Sequence, residues 1–307
     1  MSGNTIVLDP TAIAALALLE LVDMLPRLGI RILVPQDFLD QIQNEILHRR
    51  LSEGREHVSL RVEGDQLVKQ VLSAEDSARA AQVLRGIREK CKAFDVVPRP
   101  VTPGKWSDWA DRGIFGPDSA DAIAIARSTG AVLVSADARL LGAVANDYGV
   151  KVCAVYDVIN YFKGKGLLSE ESFEDAVAAM VWYGFEHTPI RASTLLRALR
   201  STGYEHSTKL ERLLDVLSSP TTDIESAVRV VANFLGAVSQ LPVIPPNMES
   251  IVRLVLERLA RGQDVTKVRA VRQFASGAAL PKWLKKLIAK CAEQVEREVT
   301  KGQIVRS

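Results

Sequence analysis

Between residues 5 and 154, short β-prone runs alternate with helix-length segments. This alternation confines the first half of the chain to an α/β fold with a parallel sheet. Two of the runs end in the same way. Thr5-Ile6-Val7-Leu8 leads into Asp9, and Ala131-Val132-Leu133-Val134 leads through Ser135-Ala136 into Asp137. In both cases the aspartate opens a helix. A third aspartate, Asp121, begins an apolar helix just upstream of the second run. Parallel strands bring their carboxyl ends to one edge of an open sheet, where ligands sit. Three carboxylates gathered there would repel one another and lose hydration, unless a cation offsets them. A divalent metal site is the simplest resolution, and it points to phosphodiester chemistry.

At 307 residues the chain is long enough for two domains. Its 47% hydrophobic and 25% charged content fits a soluble globular protein. Asp9, Glu20 and Asp23 interrupt the apolar start, so it does not read as a signal peptide, and no uncharged stretch reaches the ~18 residues of a membrane span. Cys91, Cys153 and Cys291 are odd in number and widely spaced, which argues against a disulfide framework or zinc site and suits the cytoplasm. The histidines His48, His57, His187 and His206 form no ligand pair at helical spacing. The net charge of +2 divides into +8 over residues 187–307 and −6 over residues 1–186. Such asymmetry suggests a nucleic-acid partner, although a solvated lysine-rich surface accounts for it equally well.

The spacing predicts strands over residues 5–8, 31–34, 94–97, 132–134 and 152–154. Asp9-Pro10-Thr11 is a strong helix start, an Asp N-cap with Pro at the first helical position. That helix is expected to continue to residue 28 and stop at Gly29. A second helix carries Phe38, Leu39, Ile42, Ile46 and Leu47 at helical spacing. Residues 57–71, with Glu63-Gly64-Asp65 at their centre, read as a β-hairpin. Helices follow over residues 73–90, 118–129, 138–148 and 157–163. The intervening segment 98–117 is proline-rich and reads as a loop. Beyond Lys163-Gly164-Lys165-Gly166 the pattern is helical only, with candidates at 169–180, 193–201, 207–217, 224–238, 247–259, 265–274 and 281–298. No sequence repeat marks this region as a solenoid.

Each acidic residue also has a structural reading. Asp9, Asp118 and Asp137 suit N-caps, and Asp118 with Asp121 has capping-box spacing. Singly, capping is the better account of each; together, three aspartates at one sheet edge favour a metal. Carboxylate oxygens suit Mg²⁺ or Mn²⁺, which can activate a water and stabilise charge building on a phosphate. No phosphate-binding Gly-rich loop and no nucleophile with a paired base competes with this reading.

The chain resembles the PIN-domain family of metal-dependent nucleases over about residues 4–162. The resemblance is carried by Ile6-Val7-Leu8-Asp9-Pro10-Thr11, by Val34-Pro35-Gln36-Asp37-Phe38-Leu39-Asp40-Gln41, by Ser119-Ala120-Asp121-Ala122-Ile123-Ala124-Ile125-Ala126 and by Leu133-Val134-Ser135-Ala136-Asp137-Ala138-Arg139-Leu140. The helical continuation, with Lys165-Gly166-Leu167-Leu168-Ser169 and Met180-Val181-Trp182-Tyr183-Gly184-Phe185, is similar to a branch fused to tetratricopeptide arrays or transcript-cleavage-factor-like modules. The resemblance implies a three-layer α/β/α sandwich over residues 1–164, followed by an all-α accessory domain over residues 165–307. It implies a carboxylate cluster that binds Mg²⁺ or Mn²⁺ and hydrolyses RNA. Asp9, Asp121 and Asp137 fall on three of the family's four acidic positions, with Thr11 and Ser135 as hydrogen-bonding supports and Asp118 as an extra candidate ligand. The fourth position, usually glutamate, is Gln41 here. A glutamine oxygen can coordinate a metal but carries no charge. Glu45 lies one turn further along the same helix face and is the candidate substitute.

The resulting expectation is a divalent-metal-dependent endoribonuclease acting on single-stranded RNA, with Asp9, Asp121, Asp137 and Glu45 as catalytic residues. Lys105, Trp106 and Arg112 in the 98–117 loop, with Arg139, are candidate RNA contacts. Two alternatives stand beside it. One is a catalytically weakened PIN scaffold, in which the helical domain docks a protein or RNA partner; the Gln41 departure motivates it. The other is a DNA-directed nuclease, since carboxylates do not distinguish RNA from DNA. Homodimerisation is a further expectation, because a second subunit would complete a substrate groove.

Overall fold

A computed structural model describes residues 5–51, 57–63, 66–100, 117–185, 188–241, 246–261 and 264–302. The chain divides into two compact units, Met1–Leu167 and Leu168–Ser307.

The first unit is built on five parallel strands: β1 (Thr5–Leu8), β2 (Arg31–Pro35), β5 (Asp95–Val97), β6 (Val132–Ser135) and β7 (Val152–Ala154). Their spatial order is β5-β2-β1-β6-β7. Val7 lies opposite Leu33 on one side and Leu133 on the other. These three in-register residues share a buried cluster with Ala122, Ile123, Ile125, Leu140 and Val144. The last five belong to α4 (Pro117–Thr129) and α5 (Ala138–Tyr148), which therefore cover one face of the sheet. The alternating residues Leu8, Val34 and Val134 point the other way and are equally buried. On that side Ile13 and Leu16 of α1 (Pro10–Leu18) are fully buried, as are Ile159 and Phe162 of α6 (Val155–Gly164). Burial on both faces explains why the strands read as continuous apolar runs. The expected α/β/α sandwich is present.

Helices α2 (Gln36–Leu51) and α3 (Ala74–Cys91) flank a separate antiparallel pair, β3 (His57–Glu63) and β4 (Gln66–Leu72). In α2 the apolar stripe buries Ile42 and Ile46, while Leu47 stays half exposed.

One expectation is corrected. The first helix does not continue to residue 28. It ends at Leu18, Glu20 takes a left-handed φ of 59°, and a 3₁₀ segment, Val22–Leu28, carries the chain to Gly29. Pro26 has no N–H and its ring would clash with the carbonyl four residues back, so an α-helix cannot run through it. The tighter 3₁₀ turns still bury Val22 and Leu25.

The second unit is helical: α7 (Glu170–Trp182), α8 (Ala192–Arg200), α9 (Thr208–Ser218), α10 (Ile224–Ser239), α11 (Met248–Leu259), α12 (Thr266–Gly277) and α13 (Lys282–Thr300). Side-chain caps start several of these helices. Ser169, Ser207 and Asp223 each accept from the backbone N–H three residues on. Contacts run between helices two apart: α7 with α9, α9 with α11 and α11 with α13, and likewise α8 with α10 and α10 with α12. The helices are thus stacked in two alternating layers, an arrangement used by α-solenoids, although no sequence repeat announces it. The interior is filled by Leu195, Leu213, Leu214, Val231, Phe234, Leu235, Val252, Val255, Leu284 and Ile288. Among the described residues, no helix is long and apolar enough to cross a membrane.

Candidate active site

The sheet's strand order reverses direction at β1. From β1 the chain moves outward to β2 and then β5, and it returns on the opposite side of β1 as β6. The crevice beyond the carboxyl ends of β1 and β6 is therefore the place where open α/β sheets bind ligands. Asp9 follows β1 directly, and its N–H donates to the Val134 carbonyl at 2.9 Å, closing the two strand ends together.

Asp9 caps α1, accepting from the Thr11 N–H at 3.1 Å through Oδ2. The same oxygen accepts from the Thr11 hydroxyl and, at 3.0 Å, from the Ser135 hydroxyl. Thr11 Oγ1 and Ser135 Oγ also lie 3.0 Å apart. The three oxygens form a triangle with only two protons to share. Backbone donors settle where those protons go. Ala136 N–H donates to Thr11 Oγ1 at 3.1 Å, and Asp137 N–H donates to Ser135 Oγ at 3.0 Å. Each hydroxyl thus has an incoming donor, and both hydroxyl protons are free to point at Asp9.

The carboxylate is consequently clamped through one oxygen alone. Asp9 is fully buried, and its Oδ1 has no hydrogen-bond partner among the described residues. An ionised buried oxygen with no donor is costly, because its lost hydration is not replaced. A hard cation is the group that replaces it best.

Asp121 sits in the second turn of α4, which packs against β1 and β2. It is almost fully buried. Arg99 Nε lies 3.2 Å from its Oδ1. Asp137 is exposed and caps α5, accepting from the Leu140 N–H at 3.0 Å through Oδ1. The structure therefore ties Asp9, Thr11, Ser135 and the backbone of Asp137 into one network, and it buries Asp121 beside a cation.

The α2 candidates are placed differently. Gln41 and Glu45 line an open cavity of about 600 Å³ with Phe38, Ile42, Asn44, His48 and Leu84, and none of the three aspartates borders it. Glu45 is paired with Arg49 at 2.7 Å. It stands about 6 Å further than Gln41 from the helix start, and so from the carboxyl edge of the sheet. Lys105, Trp106 and Arg112 lie outside the described residues, as do the side chains of Asp118 and Arg139, whose backbones belong to α4 and α5.

Among the described residues, no three His, Cys, Asp or Glu side chains are gathered into a metal-binding group. Mg²⁺ does not require one. It typically binds through one or two carboxylates and completes its octahedron with waters and substrate phosphates. The bare Oδ1 of Asp9 and the buried carboxylate of Asp121 are donors of the right hardness and charge.

Arg99 is the site residue that sequence reasoning missed. A signal was present: Val97-Pro98-Arg99-Pro100 places a cation directly after the carboxyl end of β5, between two prolines.

A family model described as the PIN domain associated with the TPR-GreAB-C-PIN system matches residues 7–144. The match covers the end of β1, all of β6 and all three aspartates. No curated protein and no solved structure gives a significant match. PIN domains are in general nucleases. The strand order, the aspartates beyond the carboxyl ends and the family match agree: residues 7–144 of this chain form a PIN domain, and a helical C-terminal region follows it.

Proposed function

We propose that the first unit is a divalent-metal-dependent endonuclease and that its substrate is single-stranded RNA. The observation that carries this reading is Asp9, a fully buried carboxylate held by three donors on Oδ2 and by none of the described residues on Oδ1. In this reading Asp9 and Asp121 hold Mg²⁺ or Mn²⁺, with Asp137 joining from the start of α5. The metal supplies charge stabilisation at the phosphate and an activated water. Thr11 and Ser135 fix the rotamer of Asp9, so that its free oxygen is aimed before substrate arrives. Such preorganisation lowers the reorganisation needed at the moment of reaction. Gln41 offers a neutral fourth ligand from α2, and Glu45 is freed for that role only if its pair with Arg49 opens. A shell with one carboxylate fewer than the family norm favours weaker metal affinity and slow turnover.

Labelled single-stranded RNA and DNA, incubated in Mn²⁺, Mg²⁺ or EDTA, test the proposal. RNA cutting that needs metal and is lost in Asp121→Asn and Asp137→Asn is the expected result. Preferential cutting of DNA would reassign the substrate. No cutting in any metal, with all proteins folded, would favour a docking scaffold, the reading that Gln41 supports.

A further inference from the structure

Arg99 stands where a metal's charge is needed. It leaves the carboxyl end of β5, the edge strand beside β2, and its Nε lies 3.2 Å from the buried Asp121 carboxylate. Its own side chain is 40% exposed, so the guanidinium reaches in from solvent to a carboxylate that has almost none. Two prolines hold it there. Pro98 fixes its own φ, and Pro100 biases Arg99 itself towards extended backbone. Little chain entropy is therefore lost in presenting this cation. Among the described residues the guanidinium has no other acidic partner, although Asp95 lies four residues away and is paired with Arg31.

A buried carboxylate is stabilised by a positive neighbour whether or not a metal is bound. The guanidinium can serve in the metal's absence, but it cannot share Asp121 Oδ1 with a divalent ion without strong repulsion. We propose that Arg99 is the resident counter-cation of this site: it neutralises Asp121 in the metal-free protein and must be displaced for the divalent ion to bind. The inference rests on the metal-site reading above and adds a competitor to it. Arg99 is a positioning residue here, acting on metal loading through Asp121. Because only the fraction of molecules with Asp121 released can take up metal, the apparent dissociation constant is raised by the reciprocal of that fraction.

The test is titration of Mn²⁺ alone, without nucleic acid, into the full chain and its Arg99→Gln and Arg99→Lys variants, followed by calorimetry. Thermal unfolding of the same proteins in EDTA and in saturating Mn²⁺ accompanies it. Arg99→Gln is expected to bind Mn²⁺ about five- to twenty-fold tighter than the parent, in the range of ordinary coupling between two ligands of one site. It is also expected to melt lower in EDTA, with the gap closing in Mn²⁺. Arg99→Lys keeps the charge and should lie near the parent in both measurements. Equal or weaker Mn²⁺ affinity in Arg99→Gln, with the parent binding normally, overturns this inference and leaves the metal site standing. Mn²⁺ binding by neither protein overturns both.

Discussion

Asp9→Asn separates the cost of the buried charge from the gain of binding a metal. In the metal-free protein the substitution has opposing effects. Three hydrogen bonds to a carboxylate become bonds to a neutral amide oxygen, and each weakens by about 1 kcal/mol. The new amide NH₂ occupies the place of Oδ1, which has no partner among the described residues, at a cost of about 1–3 kcal/mol. Against these, a fully buried charge disappears, and its effective desolvation penalty is several kcal/mol. The terms nearly cancel, so the unit holding the site should melt in EDTA within a few degrees of the parent. Asn also keeps the N-cap of α1. Metal breaks the balance. At a hundred times its dissociation constant, Mn²⁺ stabilises the parent by about 2.7 kcal/mol. For a unit of this size that raises the melting temperature by roughly 5–10 °C. Asp9→Asn should show no such rise. Circular dichroism melts with EDTA and with stepped Mn²⁺ give both numbers. An equal Mn²⁺-induced shift in both proteins would refute the reasoning, because Asp9 would then be only a helix cap.

Ser135→Ala removes a donor to Asp9 and the acceptor of the Asp137 N–H. It should destabilise the unit by about 2–4 kcal/mol in chemical denaturation and weaken Mn²⁺ binding, because Asp9 loses one of its two hydroxyl clamps. Burial pushes the thiols of Cys91 and Cys153 up to about 11. Neither should be alkylated by iodoacetamide at pH 8 within the native lifetime, and modification should rise as pH approaches 11 or in denaturant, as followed by mass spectrometry. Rapid labelling of native Cys91 at pH 8 would contradict its placement.

Much of the candidate site's local geometry was legible because its signals are local. Asp9-Pro10-Thr11 is a helix start in three letters, and the strand runs before Asp9 and Asp137 are largely apolar because Val7, Leu8, Leu133 and Val134 are buried on both faces of the sheet. Gly130 and Gly149 take left-handed φ where the helices before them stop. What stayed hidden depends on contacts between distant residues or on unusual backbone. Ser135 is 126 residues from Asp9, and only the β1–β6 pairing brings its hydroxyl to Oδ2. Arg99 meets Asp121 across tertiary space. The break after α1 falls at Glu20, whose left-handed φ no residue type there advertises. The described helices of the second unit follow their apolar period, but their two-layer stacking is a property of which faces meet.

That stacking makes the second unit nearly one-dimensional. A helix that packs mainly against the neighbours beside it and two places along passes little strain to the far end of the stack, although Lys267 of α12 also reaches the Leu217 carbonyl of α9 at 2.8 Å. Damage at α13 should loosen α11 and α12 before α7 registers it, so the unit should come apart as a front moving inward from an end.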